Sequence, residues 1–315
     1  MTKRKIIIDT DTAGDDAAAI MLAVKTEDVE ILGITIVNGN VPLNSAAANA
    51  LMTLELCGAK IPVYNGSARP LVREPLSAVS VYGSDGMGEK DLIHPAGRPE
   101  DKHAVDFIIE MAKKYPGELE IVELGPATNI ALAIMRDREA MRGIKGIFSM
   151  GTGGFSLGNA TPVAEFNVYT DAEAYSIMLK SGIPLTIAGF DLCVGAAAFD
   201  EEEMARIEAD SPLGAFLISS TSKLLEFNIN RNGVKVIDLP DAIAMGIALW
   251  KDIILESVPC YCHCCTVEEE TYGQVVVYET DKYYEGISVV NKTNAHVVKR
   301  IETEVFKQRF MQLLK

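Results

Sequence analysis

Short runs of β-branched and aliphatic residues that stop at Asp, Asn or Gly, each followed by a stretch of helical length, recur from the amino terminus to about residue 190. Residues 5–8, 29–37, 61–64, 119–124, 144–150 and 184–190 read as buried strands. Residues 16–24, 42–57, 103–115, 129–137 and 171–181 read as helices between them. Such alternation predicts a mostly parallel, Rossmann-like α/β sheet with right-handed crossovers and helices on both faces. From about 200 to 250 the pattern is mainly helical, with one long segment over 213–228 and another opening at Leu239-Pro240-Asp241. The last sixty residues predict strands near 256–265, 272–279 and 286–300 and a closing helix. No linker, repeat or low-complexity tract divides the chain, so residues 1–315 are expected to form one domain. Residues 66–101, rich in Gly, Pro and charge, are too long for an ordinary connection and are expected to form an active-site loop, in the manner of a lid.

Composition excludes several classes of partner. A net charge of −15 opposes binding to nucleic acid or an anionic membrane, both of which need a basic surface. No run of 18 apolar residues occurs, and MTKRKIII passes from a basic tip into a strand without the apolar core of a signal peptide, which predicts a cytoplasmic protein. Of the 6 cysteines, Cys260, Cys262, Cys264 and Cys265 are bunched. Strand alternation places the first three on one face and the C-x-x-C spacing of a zinc site is missing, so they read as small buried hydrophobes.

The chemistry concentrates where the first strand ends. Asp9, Asp11, Asp15 and Asp16 fall within eight residues, between that strand and an Ala-rich helix. Carboxylates gathered at the carboxyl edge of such a sheet repel one another, and a cation is the simplest remedy. With neither His nor Cys nearby in sequence, calcium or magnesium suits the donors better than zinc. The plainer alternative is that Asp15 and Asp16 serve the helix amino terminus while Asp9 and Asp11 are solvated. Loop 150–167 lacks P-loop or Rossmann spacing, but Asn159, Glu165 and Asn167 around Phe166 offer partners for sugar hydroxyls. A turn-forming Asn and a helix-leading Glu would look the same. Asp241, after Pro240, alone signals no more than a helix start. Tyr82 and Asp85 either line a site or sit at turns.

Together these segments resemble the inosine-uridine preferring nucleoside hydrolase family. Its D-x-D-x-x-x-D-D signature is matched by Asp9, Asp11, Asp15 and Asp16; further matches are Gly39-Asn40, Thr128 to Ala133, Met150 to Gly154, Ala164 to Asn167 and Gly273-Gln274. The resemblance implies a calcium ion held by Asp11, both oxygens of Asp16, the Thr128 carbonyl and Asp241. Asp15, Asn40, Asn159, Glu165 and Asn167 would hold the ribose, with Met150 packed near the sugar and Asp241 also reaching substrate. A calcium-bound water would be activated by Asp11 as general base, and nucleosides would be cleaved to ribose and free base in purine or pyrimidine salvage by a homodimer or homotetramer. The chain departs from the family where many members carry a His before the last calcium-binding Asp, thought to protonate the leaving base: Pro240 stands there. Tyr82 replaces another frequent His. Tyr82, Tyr169, Asn228 and Arg231 are the candidate substitutes, and the preferred base stays open. Two other readings compete. One is a haloacid-dehalogenase-type phosphatase, for which Ala13 stands where Thr or Val is wanted; the other is a ribose- or nucleoside-binding protein without turnover.

Overall fold

In the computed structural model, which describes residues 3–279 and 292–315, the apolar runs form one sheet. Its strands are β1 Arg4–Thr10, β2 Val29–Ile36, β3 Val63–Asn65, β4 Leu119–Glu123, β5 Gly146–Met150, β6 Leu185–Ala188, β7 Ile254–Cys264, β8 Val275–Glu279 and β9 Ala295–Ile301. Their order is β3-β2-β1-β4-β5-β6-β9-β7-β8. Pairing is parallel from β3 through β9, whereas β7 runs antiparallel to both β9 and β8.

Helices cover both faces, which is why the inner strands read as continuous apolar runs. Alternation along β1 sorts the core: Ile6 and Ile8 join the cluster of helices Gly14–Lys25, Leu43–Leu56, Pro240–Leu249 and Thr303–Leu313. Ile7 points the other way, into the cluster of helices Ala104–Lys114, Thr128–Arg136 and Ala172–Leu179. The chain lays β2 and β3 on one side of β1 and then returns to place β4 on the other. That reversal makes the carboxyl ends of β1 and β4 a topological switch point, the position where open α/β sheets bind ligands.

Several elements differ from expectation. The segment 213–228 is not one helix but two, Pro212–Ser220 and Ser222–Asn232. Ser220 Oγ and Thr221 Oγ1 donate to the Leu217 carbonyl at 2.9 and 2.8 Å, side-chain bonds that compete with a continuous helix. The break turns the second helix onto the short helix Val79–Tyr82 inside segment 66–101, which is therefore folded rather than structureless. Helix Ala172–Leu179 starts later than expected because Asp171 caps it, its carboxylate accepting from the Ala174 amide at 3.1 Å. The expected strand over 286–300 is seen as β9; residues 286–291 lie outside the described residues. Cys260, Cys262 and Cys264 are buried as alternation predicts, and all six cysteines are free thiols. Among the described residues no helix is long and apolar enough to cross a membrane.

Helix Gly14–Lys25 is buried on every side from Gly14 to Ala23 and packs against helix Pro240–Leu249, itself buried from Pro240 to Ala248. Both are rich in alanine, and Ala18 is fully buried in the core they share. Ala18→Leu is therefore expected to overpack this interface and destabilise the protein by about 1–3 kcal/mol, read by urea denaturation.

Candidate active site

Asp11 follows directly on β1 and is fully buried. Its Oδ2 accepts from the Asn40 amide at 2.5 Å, while Oδ1 has no hydrogen-bond partner. Two glycines make room for it: a Cβ on Gly39 would lie 2.0 Å from Oδ2, and one on Gly125 2.8 Å from Oδ1. Asp16 accepts from Thr10 Oγ1 at 2.5 Å, from the Ala13 amide at 2.8 Å and from Asn40 Nδ2 at 3.4 Å. Asp15 Oδ2 accepts from the Tyr82 hydroxyl at 2.8 Å, and its Oδ1 is unpartnered. Asp241, in the first turn of helix Pro240–Leu249, also keeps an unpartnered buried oxygen.

One oxygen from each of Asp15, Asp16 and Asp241 lies within 4.8 Å of the others. Among the described residues no Lys, Arg or His forms an ion pair with these carboxylates or with Asp11. Burial, and then the charge of Asp16, pushes Asp11 and Asp241 well above the ordinary carboxylate range. Burial, and then the charge of Asp15, raises Asp16 to about 7; burial opposed by the Tyr82 hydrogen bond leaves Asp15 at about 6. Unpartnered oxygens on Asp11, Asp15 and Asp241, in a set of hard oxygen donors, fit a divalent cation of the calcium or magnesium kind. The amino termini of helices Gly14–Lys25 and Pro240–Leu249 add a weaker positive field.

The remaining expected residues surround this centre less uniformly. Thr128 opens helix Thr128–Arg136, and its hydroxyl donates to Asp171 at 2.7 Å, which turns that side chain toward Asp171. Asn167 Nδ2 donates to the Leu124 carbonyl at 2.6 Å and approaches the carbonyl and sulfur of Met150, both at 3.4 Å. Glu165 accepts from the Asn167 and Val168 amides and is raised by burial to about 7. Asn159 spends its side-chain oxygen on the Phe166 amide at 2.8 Å, the turn-forming role. Asp9 does not join the cluster. As an internal residue of β1 it points to the face of Ile7, where Oδ1 accepts from Thr35 at 2.5 Å and from Asn129 at 2.9 Å.

Sequence reasoning missed the row that Asp9 belongs to. Register places Thr35, Asp9, Glu123 and Ser149 side by side across four strands, with both Glu123 oxygens unpartnered and Ser149 3.2 Å from the Tyr175 hydroxyl. It also missed Asp238, which takes a 2.5 Å hydrogen bond from Asn228. Glu123 looked like a strand residue and Asp238 like a turn residue; only pairing and packing reveal either.

Two tests follow from the geometry. Asp15 and Asp16 have folded pKa values of about 6 and 7 against roughly 4 in the unfolded chain. The native state therefore binds more protons between about pH 4 and 7, and the metal-free protein loses stability as pH rises through that window. A divalent cation bound there would have to displace those protons, so added calcium is expected to raise the melting temperature more at pH 8 than at pH 5 relative to EDTA; an equal shift at both would contradict the site. Tyr82→Phe removes a hydrogen bond to a charged acceptor, worth about 1.5–3 kcal/mol, and is expected to lower kcat/KM roughly ten- to a hundredfold.

Comparison with known proteins shows the family. The model of the family described as inosine-uridine preferring nucleoside hydrolase matches residues 6–308. Uridine nucleosidase 1 of Arabidopsis thaliana is 37% identical over 254 residues, 79% of this chain and 75% of that protein. The pyrimidine-specific ribonucleoside hydrolase RihB of Escherichia coli is 33% identical over 273 residues, 83% of this chain and 86% of that protein. Among solved structures, a plant nucleoside hydrolase, PpNRh1, superposes with a TM-score of 0.92 at 26% identity, over 99% of this chain and 98% of that one. The carboxylate-lined switch point thus sits in a chain that belongs to the inosine-uridine preferring nucleoside hydrolase family, enzymes that hydrolyse the N-glycosidic bond of ribonucleosides.

Proposed function

We propose that this chain hydrolyses ribonucleosides, uridine foremost, with calcium held by Asp11, Asp16, the Thr128 carbonyl and Asp241 and with Asp11 as general base. The observation that carries the reading is the set of unpartnered buried oxygens on Asp11, Asp15 and Asp241 at the switch point. Uridine is placed first because the two sequence relatives above are a uridine nucleosidase and a pyrimidine-specific hydrolase.

Cleavage passes through an oxocarbenium-like sugar, so the protein has to hold the ribose, place a water beneath C1′ and favour the developing positive charge. Asp15 and Asn40 hold ribose hydroxyls from one side; Asn159, Glu165 and Asn167 do so from loop 150–167, with Met150 packed near the sugar and Asp241 reaching substrate as well. Asp11 takes the proton of the attacking water at its unpartnered Oδ1, which a side chain in place of Gly125 would crowd. When bound, calcium supplies a positive charge that favours the deprotonated form of that water. Buried carboxylates around the ring favour the cationic sugar. We further propose a cytoplasmic homodimer or homotetramer, with light scattering as the check on assembly. Segment 66–101, which brings Tyr82 to Asp15, is the part that closes over substrate.

Incubation of the calcium-loaded protein with uridine, inosine, adenosine and cytidine is expected to release ribose, fastest from uridine, and EDTA to abolish release. Asp11→Asn is expected to lower kcat by roughly 10²–10⁴. A protein that binds uridine in calorimetry with calcium present, yet frees no ribose from any nucleoside, would be a binding protein instead.

A further inference from the structure

The departing base needs a proton as its bond to C1′ breaks, and Pro240 has none to give. Three of the four candidate substitutes are committed to other hydrogen bonds, and the fourth, Tyr169, packs against the core of the opposite face. Tyr82 donates its hydroxyl proton to Asp15. Tyr169 lies edge-on to Tyr272, ring centroids 5.5 Å apart, against the core of the opposite face. The Asn228 amide donates to the Val236 carbonyl at 3.1 Å and to Asp238 at 2.5 Å. Arg231 is exposed and reaches the Asn159 carbonyl at 3.4 Å, and a guanidinium does not release its proton near neutral pH.

Asp238 remains. It is half-buried, three residues before Asp241, on a stretch pinned by reciprocal backbone hydrogen bonds between Ile237 and Phe199 at 2.8 and 3.0 Å. Asn228 orients one of its oxygens, and the other is not among the buried unpartnered atoms. It precedes by three residues Asp241, one oxygen of which lies within 4.8 Å of an Asp15 oxygen, and the helix that supplies Asn228 packs on Val79–Tyr82, whose Tyr82 bonds Asp15. Burial raises the pKa of Asp238 above the ordinary range, favouring the proton-carrying form.

We propose that Asp238, oriented by Asn228, is the catalytic acid that protonates the departing base in this chain. The assignment rests on the nucleoside hydrolase reading above. As the C1′–N bond breaks, its electron pair stays on the base and the Asp238 proton moves to the base. The attacking water adds its hydroxyl to C1′ and gives its proton to Asp11. One water is consumed, and solvent carries a proton from Asp11 back to Asp238.

The test compares leaving groups in the calcium-loaded enzyme. Uridine and inosine need protonation to leave, whereas p-nitrophenyl β-D-ribofuranoside releases a stable phenolate unaided. Asp238→Asn is expected to lower kcat on uridine and inosine by roughly 10²–10⁴ while changing p-nitrophenyl riboside turnover by about threefold or less. Asn228→Ala is expected to show a smaller loss with the same selectivity. Equal losses on both substrate types, or an unchanged nucleoside rate in Asp238→Asn with melting temperature preserved, would overturn the assignment. A wild-type enzyme that cleaves none of the three substrates would instead sink the hydrolase reading on which it rests.

Discussion

Burying Asp11, Asp15, Asp16 and Asp241 together without a cationic side chain is the constraint that the rest of the structure serves. Ionised carboxylates held out of water cost several kcal/mol each unless paired. The protein supplies donors to Asp11, Asp15 and Asp16, from Asn40, Tyr82, Thr10 and Ala13, yet leaves one oxygen open on Asp11, Asp15 and Asp241. Such a set is stable only when partly protonated or when it shares a cation. Its rigidity comes from the core behind it, where two helices buried nearly all round hold their first turns, and the carboxylates on them, in place.

The sheet explains why this centre lies where it does. Reversal of strand order at β1 sends the connections after β1 and β4 to opposite sides, the arrangement at which open α/β sheets bind ligands. Glycines at 39 and 125 let both connections close onto Asp11. The other face of the same strand ends carries a buried polar row, Thr35, Asp9, Glu123 and Ser149, separated from the site by the backbone of the sheet. Burial raises Glu123 well above the ordinary range and Asp9 to about 7, which lessens the negative charge this row adds beneath the carboxylate cluster.

Loop 150–167 shows how one set of residues meets two demands. Glu165 caps a helix start, Asn159 closes the turn before it, and Asn167 ties the connection after β4 to Met150. These bonds immobilise the loop and leave fewer free atoms for sugar than the residue types alone would indicate. On the opposite rim, breaking the helix at Thr221 lets Ser222–Asn232 support the segment that carries Tyr82 and presents Asn228 to Asp238.

The parallel sheet, its strand positions and the importance of the amino-terminal carboxylates were legible in the sequence, because periodicity and the acidic spacing after residue 8 are local properties. Family resemblance added Thr128 and Asp241, which no local signal would have singled out. Tertiary structure alone decided that Asp9 faces away while Asp11 faces in, that Tyr82 is spent on Asp15, and that Asn228, beyond the helix break, donates to Asp238. The reason is physical: a side chain's neighbours across a sheet, or across a helix break, are set by register and packing between segments far apart in the chain, and neither is written in the spacing of any one segment.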